Sequence, residues 1–277
     1  LTRVDYGDFA QFKEQVKSLM GIDLNDYSFR QLKHRLLFIL QQEGIRDYQE
    51  YGSLLAHSRE KRQEFLKHLK INVSSFFRDR SSWDLLSDTI LPDLIARATR
   101  WRSESIFGPG PPELRVWCAG CSIGAEPYTL AILLNDLKNR LRFTCTPILA
   151  SDVVPDVLEK ARTGRFLDKD IKEFPTVLKE RYLQPENSAW RVSTGIRKQV
   201  KFIKHDLLRD TWSKGFDLIL CRNVLIYMNN QVKHRLYEQF RDVLKPDGIL
   251  FLGSSELILQ PDEYGLERVV ASFYRRI

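Results

Sequence analysis

The chain has 277 residues, room for two modest domains, with 43% hydrophobic and 29% charged residues of interspersed sign. That composition excludes a disordered chain, and the lack of any apolar run near the ~20 residues that span a bilayer argues against direct membrane insertion. The net charge of +7 is spread along the chain, with no dense Lys/Arg block, so a mildly basic enzyme with an acidic partner is favoured over nucleic-acid binding.

Residues from about 8 to 100 read as helix after helix. Phe29, Leu32, Leu36, Ile39 and Leu40 recur at helical spacing and mark one apolar face, while Arg30, Lys33, His34 and Gln41 fall on another. Gly44 offers the stop. Arg59 to Lys70 predicts a further helix with Phe65, Leu66 and Leu69 inside, and Ser81 to Arg100 a long amphipathic one that Pro92 kinks or splits. Gly108-Pro-Gly-Pro-Pro112 blocks both regular structures and reads as a loop.

Beyond that loop the pattern alternates. Leu114 to Cys118 predicts a buried strand, Glu126 to Asn139 a helix, Thr144 to Ser151 a second strand and Pro155 to Thr163 a second helix. Phe216 to Cys221, Asn230 to Leu244, Ile249 to Gly253 and Val269 to Arg275 continue as strand, helix, strand and edge strand. The alternation implies a parallel sheet covered by helices. Trp190 to Ser193 and Gln199 to Ile203 interrupt it and read as a small hairpin excursion.

Four cysteines, Cys118, Cys121, Cys145 and Cys221, are few for this length, and no signal-peptide pattern opens the sequence; both suit a reduced, cytoplasmic setting. Cys118-Ala-Gly-Cys121 has metal-ligand spacing but no second pair to complete a site, so no metal is expected. Its glycine-rich surroundings also argue against a redox pair, leaving small residues that line a tight turn.

That turn, Val116-Trp-Cys-Ala-Gly-Cys-Ser-Ile-Gly-Ala-Glu126-Pro-Tyr, carries the strongest local signal. A buried strand runs through small residues into a helix, and Gly120 and Gly124 let a ligand approach the backbone. A P-loop is excluded because no Gly-Lys-Ser/Thr follows, and a dinucleotide fingerprint because its glycine spacing is missing. A nucleotide-like cofactor fits, though so does a plain structural turn.

Asp152 closes the next strand, where a carboxylate can accept from ribose hydroxyls or cap the helix that starts at Pro155. Asp206 and Leu207 follow the strand Val200 to Lys204, placed for an adenine amino group and ring face or for an ordinary loop. Asn223 and Tyr227 follow the Phe216 strand and can face the same crevice. Polar groups at several strand ends converge on one ligand site more than chance favours.

The chain resembles the chemotaxis receptor methyltransferases. The matching residues are Asn72-Val-Ser-Ser-Phe-Phe-Arg78, Ala119-Gly-Cys-Ser-Ile-Gly-Ala-Glu126-Pro-Tyr-Thr, Ser151-Asp152, Leu158-Glu-Lys-Ala-Arg162 with Gly164, Cys221-Arg-Asn-Val-Leu-Ile-Tyr227, Leu244-Lys-Pro-Asp-Gly248 and Gly253-Ser-Ser-Glu256. They run in order over nearly the whole chain. The resemblance implies an all-helical N-terminal domain over residues 1–70 and a linker and connecting helix over 71–102. It implies a Rossmann-like S-adenosylmethionine-dependent methyltransferase domain over 103–277, with a small β-hairpin subdomain inserted at about 179–204.

The implied activity is protein-glutamate O-methyltransfer to bacterial chemoreceptors, with S-adenosylmethionine as cofactor and S-adenosylhomocysteine as product. Asn72, Ser74 and Arg78 look like the linker residues that close over the cofactor, Glu126 like the carboxylate that meets its amino group, and Asp152 like the ribose ligand. Asp206, Leu207, Arg222 and Asn223 look like the adenine and cofactor-wall positions, and Arg78 with Tyr227 like the catalytic pair that orients the substrate carboxylate. The implied partner is the cytoplasmic helical domain of a receptor, met by a monomer through the face bearing Arg30, Lys33 and His34. The excursion from Tyr182 to Phe202 resembles the family's three-stranded β-subdomain, which in some members docks a receptor C-terminal peptide; the short loop Gln184 to Ala189 counts against that tether. Gly253-Ser-Ser-Glu256 stands where the family often has Gly-His-Ser-Glu. The alternatives are an idle cofactor-binding module, a methyltransferase of a related signalling system, and a small-molecule or nucleic-acid methyltransferase; no Asn-Pro-Pro-Tyr-type motif follows the Phe216 strand.

Overall fold

The computed structural model describes residues 6–69, 74–104, 108 and 110–277. Contacts divide the chain into two units, residues 1–72 with 225–235, and residues 73–224 with 236–277.

The first unit is helical: α1 (Tyr6–Met20), α2 (Phe29–Glu43), α3 (Tyr48–His57) and α4 (Arg59–Leu69). Its core gathers Phe12, Val16, Leu32, Leu36, Ile39, Tyr51, Leu55 and Phe65. The apolar face expected on α2 is buried at Leu32, Leu36, Ile39 and Leu40, but Phe29 is 53% exposed and meets Phe9 edge-on at 5.9 Å. A helical side chain covers the turn N-terminal to its own Cα, and at the first residue of a helix that turn does not exist. Gly44 ends α2 with φ at +68°. Arg30, Lys33, His34 and Gln41 are exposed.

The second unit opens with α5 (Arg80–Leu85), a π-helical turn at Leu86–Ile90 and α6 (Leu91–Ser103). Pro92 lies in the first turn of α6, and its missing N–H leaves a gap in the i→i−4 ladder where the π turn is tolerated. Strands and helices then alternate: β1 (Glu113–Leu114), β2 (Val116–Ala119), α7 (Ala125–Leu137), β3 (Thr144–Cys145), β4 (Ile148–Asp152), α8 (Pro155–Thr163) and β5 (Arg165–Phe166). There follow α9 (Thr176–Tyr182), β6 (Leu183–Glu186), β7 (Ala189–Val192), α10 (Thr194–Arg197), β8 (Val200–Lys204) and β9 (Phe216–Cys221). The chain ends with α11 (Asn230–Val243), β10 (Leu244–Leu252), β11 (Leu266–Val270) and β12 (Phe273–Arg276).

The main sheet has seven strands in the order β11-β12-β10-β9-β2-β4-β8. Strands β10, β9, β2, β4 and β8 are parallel; β12 and β11 are added antiparallel at one edge. From β2 the chain moves outward through β4 to β8, then returns to the other side of β2 for β9 and β10. The order therefore reverses beside β2, the point where open α/β sheets bind ligands outside the carboxyl ends of their strands. β2 and β9 are buried along their whole length, as strands covered on both faces must be.

Four strand expectations change. The stretch Val269 to Arg275 is not one edge strand: it divides at Ala271-Ser272 into β11 and β12, which pair antiparallel. The stretch Leu114 to Cys118 divides at Arg115, whose N–H is taken by the Asp217 carboxylate at 2.7 Å. The stretch Thr144 to Ser151 divides at Thr146-Pro147, since proline cannot donate to a ladder; β1 and β3 pair with each other in a separate two-stranded sheet. The hairpin is β6 with β7, joined by β5 into an antiparallel sheet of order β5-β7-β6, whereas Val200–Lys204 pairs with β4 as the edge of the main sheet. Nothing within either segment names its partner strand, and only the partner's position decides which sheet each joins.

Candidate active site

Four loops meet at the carboxyl edge of the parallel strands. After β2, the N–H groups of Gly120 and Cys121 both donate to the Ser151 carbonyl at 2.8 Å, which folds the small-residue loop across the end of β4. Gly120 adopts φ +80°, and a Cβ there would stand 2.4 Å from Val224 Cγ2; Gly124, at φ +91°, faces Ala161 and Phe202. A Cβ at either glycine would meet neighbouring protein, which is by itself a reason for glycine at these positions.

Asp152 is buried, and both its oxygens are engaged: Oδ2 accepts from Ser122 N–H at 2.9 Å and Oδ1 from Val154 N–H at 3.0 Å. It does not cap α8, whose N-cap is Val154. Its carboxylate instead binds the β2 loop to the β4 loop. Ser122 sits at φ +50°, and its buried Oγ has no hydrogen-bond partner among the described residues. The loop after β8 joins through His205 N–H, which donates to the Asp152 carbonyl at 3.0 Å. There Asp206 Oδ1 accepts from Leu208 N–H at 2.9 Å in a local turn, and Leu207 is buried.

Glu126 stands in the first turn of α7 with 13% of its side chain exposed. Burial pushes its carboxyl up to about 7, against the opposing pull of the Arg222 guanidinium. Arg222 follows β9 and is 2% exposed in its side chain. It reaches Glu126 Oε2 at 3.3 Å and Asp79 Oδ2 at 3.1 Å, and donates to the Arg78 carbonyl at 2.9 Å. The guanidinium lies 5.1 Å from the Trp83 ring centroid and 4.7 Å from that of Phe251. Trp83 Nε1 donates to the same Arg78 carbonyl at 2.9 Å.

Arg78 is thus held by its backbone. Its neighbours Phe77 and Asp79 have φ of +54° and +59°, a conformation that costs non-glycine residues of order 1 kcal/mol each. Burial of the preceding aromatics offsets that cost: Phe76 meets Phe166 at 4.7 Å and Phe77 meets Phe174 at 5.2 Å.

The structure therefore brings Arg78, Glu126, Asp152, Asp206, Leu207, Arg222 and Asn223 into one unit, with the loops of β2, β4, β8 and β9 linked in series. Ser74 lies in the same unit, shortly before Phe76; Asn72 lies outside the described residues. Tyr227 belongs to the helical unit, where its carbonyl accepts from Ser28 N–H at 2.8 Å and the Arg35 guanidinium lies 4.1 Å from its ring centroid. Sequence reasoning passed over Asp79 and Trp83, which fix the Arg78 segment, and gave Glu256 no role. Asp79 and Glu256 stood within or beside quoted motifs; Trp83 had no such signal. Cys118, Cys121 and Cys221 are buried thiols whose ionisation burial pushes well up, as suits packing residues. Among the described residues no cluster of His, Cys, Asp and Glu could hold a metal, and no helix is long and apolar enough to cross a membrane.

Residues 72–270 match the family described as CheR methyltransferase, SAM binding domain, and residues 7–69 match CheR methyltransferase, all-alpha domain. The chain is 36% identical over 271 residues to a chemotaxis protein methyltransferase of Listeria innocua, covering 96% of each chain. It is 34% identical over 263 residues to one of Borreliella burgdorferi, covering 92% of this chain and 89% of that one. Against the chemotaxis protein methyltransferase of Escherichia coli it is 32% identical over 257 residues, covering 90% of this chain and 83% of the other.

Proposed function

The chain belongs to the CheR methyltransferase family, and from that premise we propose that it methylates glutamate side chains on the cytoplasmic helical domain of a chemoreceptor. The observation that carries this reading is Arg222, which ties the largely buried Glu126 to the backbone of Arg78. A carboxylate suited to a cationic donor and a guanidinium suited to an anionic acceptor are joined through one residue.

The residues fit S-adenosylmethionine. The unpartnered Ser122 Oγ beside Asp152 suits a sugar hydroxyl, and Glu126 has a second oxygen free of Arg222 for an ammonium group. Glu126 would hold the amino group, Asp152 the ribose, Asp206 and Leu207 the adenine, with Asn223 and Ser74 in the pocket wall. When bound, the cofactor supplies a methyl group on a sulfonium. A glutamate acceptor is ionised at neutral pH, so this chain has no proton to remove; it must align the oxygen and exclude water. We assign that alignment to Arg78, whose fork can hold one carboxylate oxygen while the other attacks, and to Tyr227 on the family resemblance. The exposed face of α2 supports an acidic helical partner: Arg30, Lys33 and His34 lie there beside the exposed Phe29, Leu37 and Phe38. A monomer in the cytoplasm, recruited to membrane-bound receptors, fits this reading.

The test is incubation with methyl-labelled S-adenosylmethionine and receptor-bearing membranes, followed by mild base. Volatile labelled methanol is expected, the signature of a glutamate methyl ester. Label that stays on receptor after base, or goes to no receptor, would sink the assignment.

A further inference from the structure

Glu256 is a buried carboxylate, 5% exposed, for which the proposed reaction has no use. Its Oε2 accepts from Asn223 N–H at 2.7 Å and from Gly253 N–H at 2.8 Å. Those two groups lie just past the carboxyl ends of β9 and β10, adjacent parallel strands, where the ladder no longer supplies partners. Asn223 sits at φ +59°, a conformation that asparagine tolerates better than most residues but that still needs support. A single anionic acceptor serving two backbone donors supplies it with charge-assisted hydrogen bonds. The space is made for that contact: a Cβ at Gly253 would stand 2.6 Å from Glu256 Oε2 and 3.1 Å from Asn223 N, so only glycine lets the carboxylate in.

We propose that Glu256 is a positioning residue of the cofactor pocket, acting through Asn223 by fixing the turn that presents it beside Arg222. This rests on the placement of Asn223 in the pocket wall. The carboxylate spans β9 and β10, so the pocket's wall is set by a residue 33 positions further along the chain.

The experiment is calorimetric titration of S-adenosylhomocysteine into the full chain, E256A, E256Q, N223A and E256A/N223A, with the melting temperature of each. We expect E256A to weaken binding at least about tenfold, the scale of one lost charge-assisted hydrogen bond, and E256Q, which keeps an acceptor oxygen, to stay within about threefold. In the N223A background, E256A should cost less than about twofold more, because the side chain it positions is gone. Should E256A not fold, E256D retracts the carboxylate by one methylene and takes its place in the same comparison. Binding by E256A within twofold of the parent, equal losses in both backgrounds, or equal damage from E256Q and E256A overturns the proposal while leaving the pocket intact. A parent chain that does not bind S-adenosylhomocysteine overturns the cofactor reading itself, and this inference with it.

Discussion

Arg222 donates to the carbonyl of Arg78 at 2.9 Å across 144 residues of sequence, and the same guanidinium meets Glu126 at 3.3 Å. One buried cation therefore fixes the backbone of the residue proposed to orient the acceptor and neutralises the residue proposed to hold the donor.

Replacing Arg222 with methionine should destabilise the protein by about 3 kcal/mol, because it strands the Glu126 carboxyl in a largely buried site and frees the strained Arg78 segment. Urea denaturation measures the loss. A change below about 0.5 kcal/mol, the range of surface substitutions, would mean the guanidinium is not structurally required.

Cofactor affinity should depend on pH through Glu126. Its carboxyl is pushed up to about 7 from 4.5, so the folded protein holds this proton more tightly than the unfolded chain does. The group's stabilising contribution is present below 4.5 and is lost as pH rises towards about 7. Only the ionised form attracts an ammonium, so affinity should rise roughly tenfold per pH unit below 7 and level off above it. Titrations at pH 6, 7 and 8 should show this, and E126Q should bind weakly with a flat profile. A parent profile as flat as that of E126Q would remove Glu126 from the amino-group contact.

Asp152→Ala should abolish measurable binding of S-adenosylmethionine by calorimetry. The substitution removes a ribose acceptor and also releases the Ser122 and Val154 N–H groups that shape the loop. Affinity equal to the parent's would count heavily against this pocket.

Arg78→Ala should lower turnover far more than cofactor affinity, by about 100-fold against less than threefold, since its proposed contact forms with the acceptor and not the donor. The Trp83 and Arg222 bonds run to its backbone carbonyl and survive the substitution. Equal losses in turnover and affinity would move Arg78 out of the substrate role.

Gly120→Ala should cost about 2 to 4 kcal/mol, combining a left-handed φ of +80° with a Cβ only 2.4 Å from Val224. Thermal melts of G120A and of G120A/V224A separate the two parts: the second substitution relieves the clash but not the φ. A fully stable G120A would show that the loop relaxes freely.

The sequence by itself determined the types and order of the main elements, because burial on both faces forces apolar runs such as Leu218–Cys221, and helices demand a 3.6-residue recurrence such as Leu32, Leu36 and Ile39. It also pointed to the carboxyl edge of the sheet, since Glu126, Asp152, Asp206 and Asn223 each follow directly on a strand or its loop. Only the tertiary structure decided what those residues touch. That Val200–Lys204 joins β4 and not β7, that Gly120 makes room for Val224, that Tyr227 lies with the helical unit, and that Glu256 holds Asn223 all depend on partners distant in sequence. Local periodicity reports which face of an element is apolar; it carries no record of which far segment will supply the hydrogen bond or fill the space, and that is settled only when the strands take their order in the sheet.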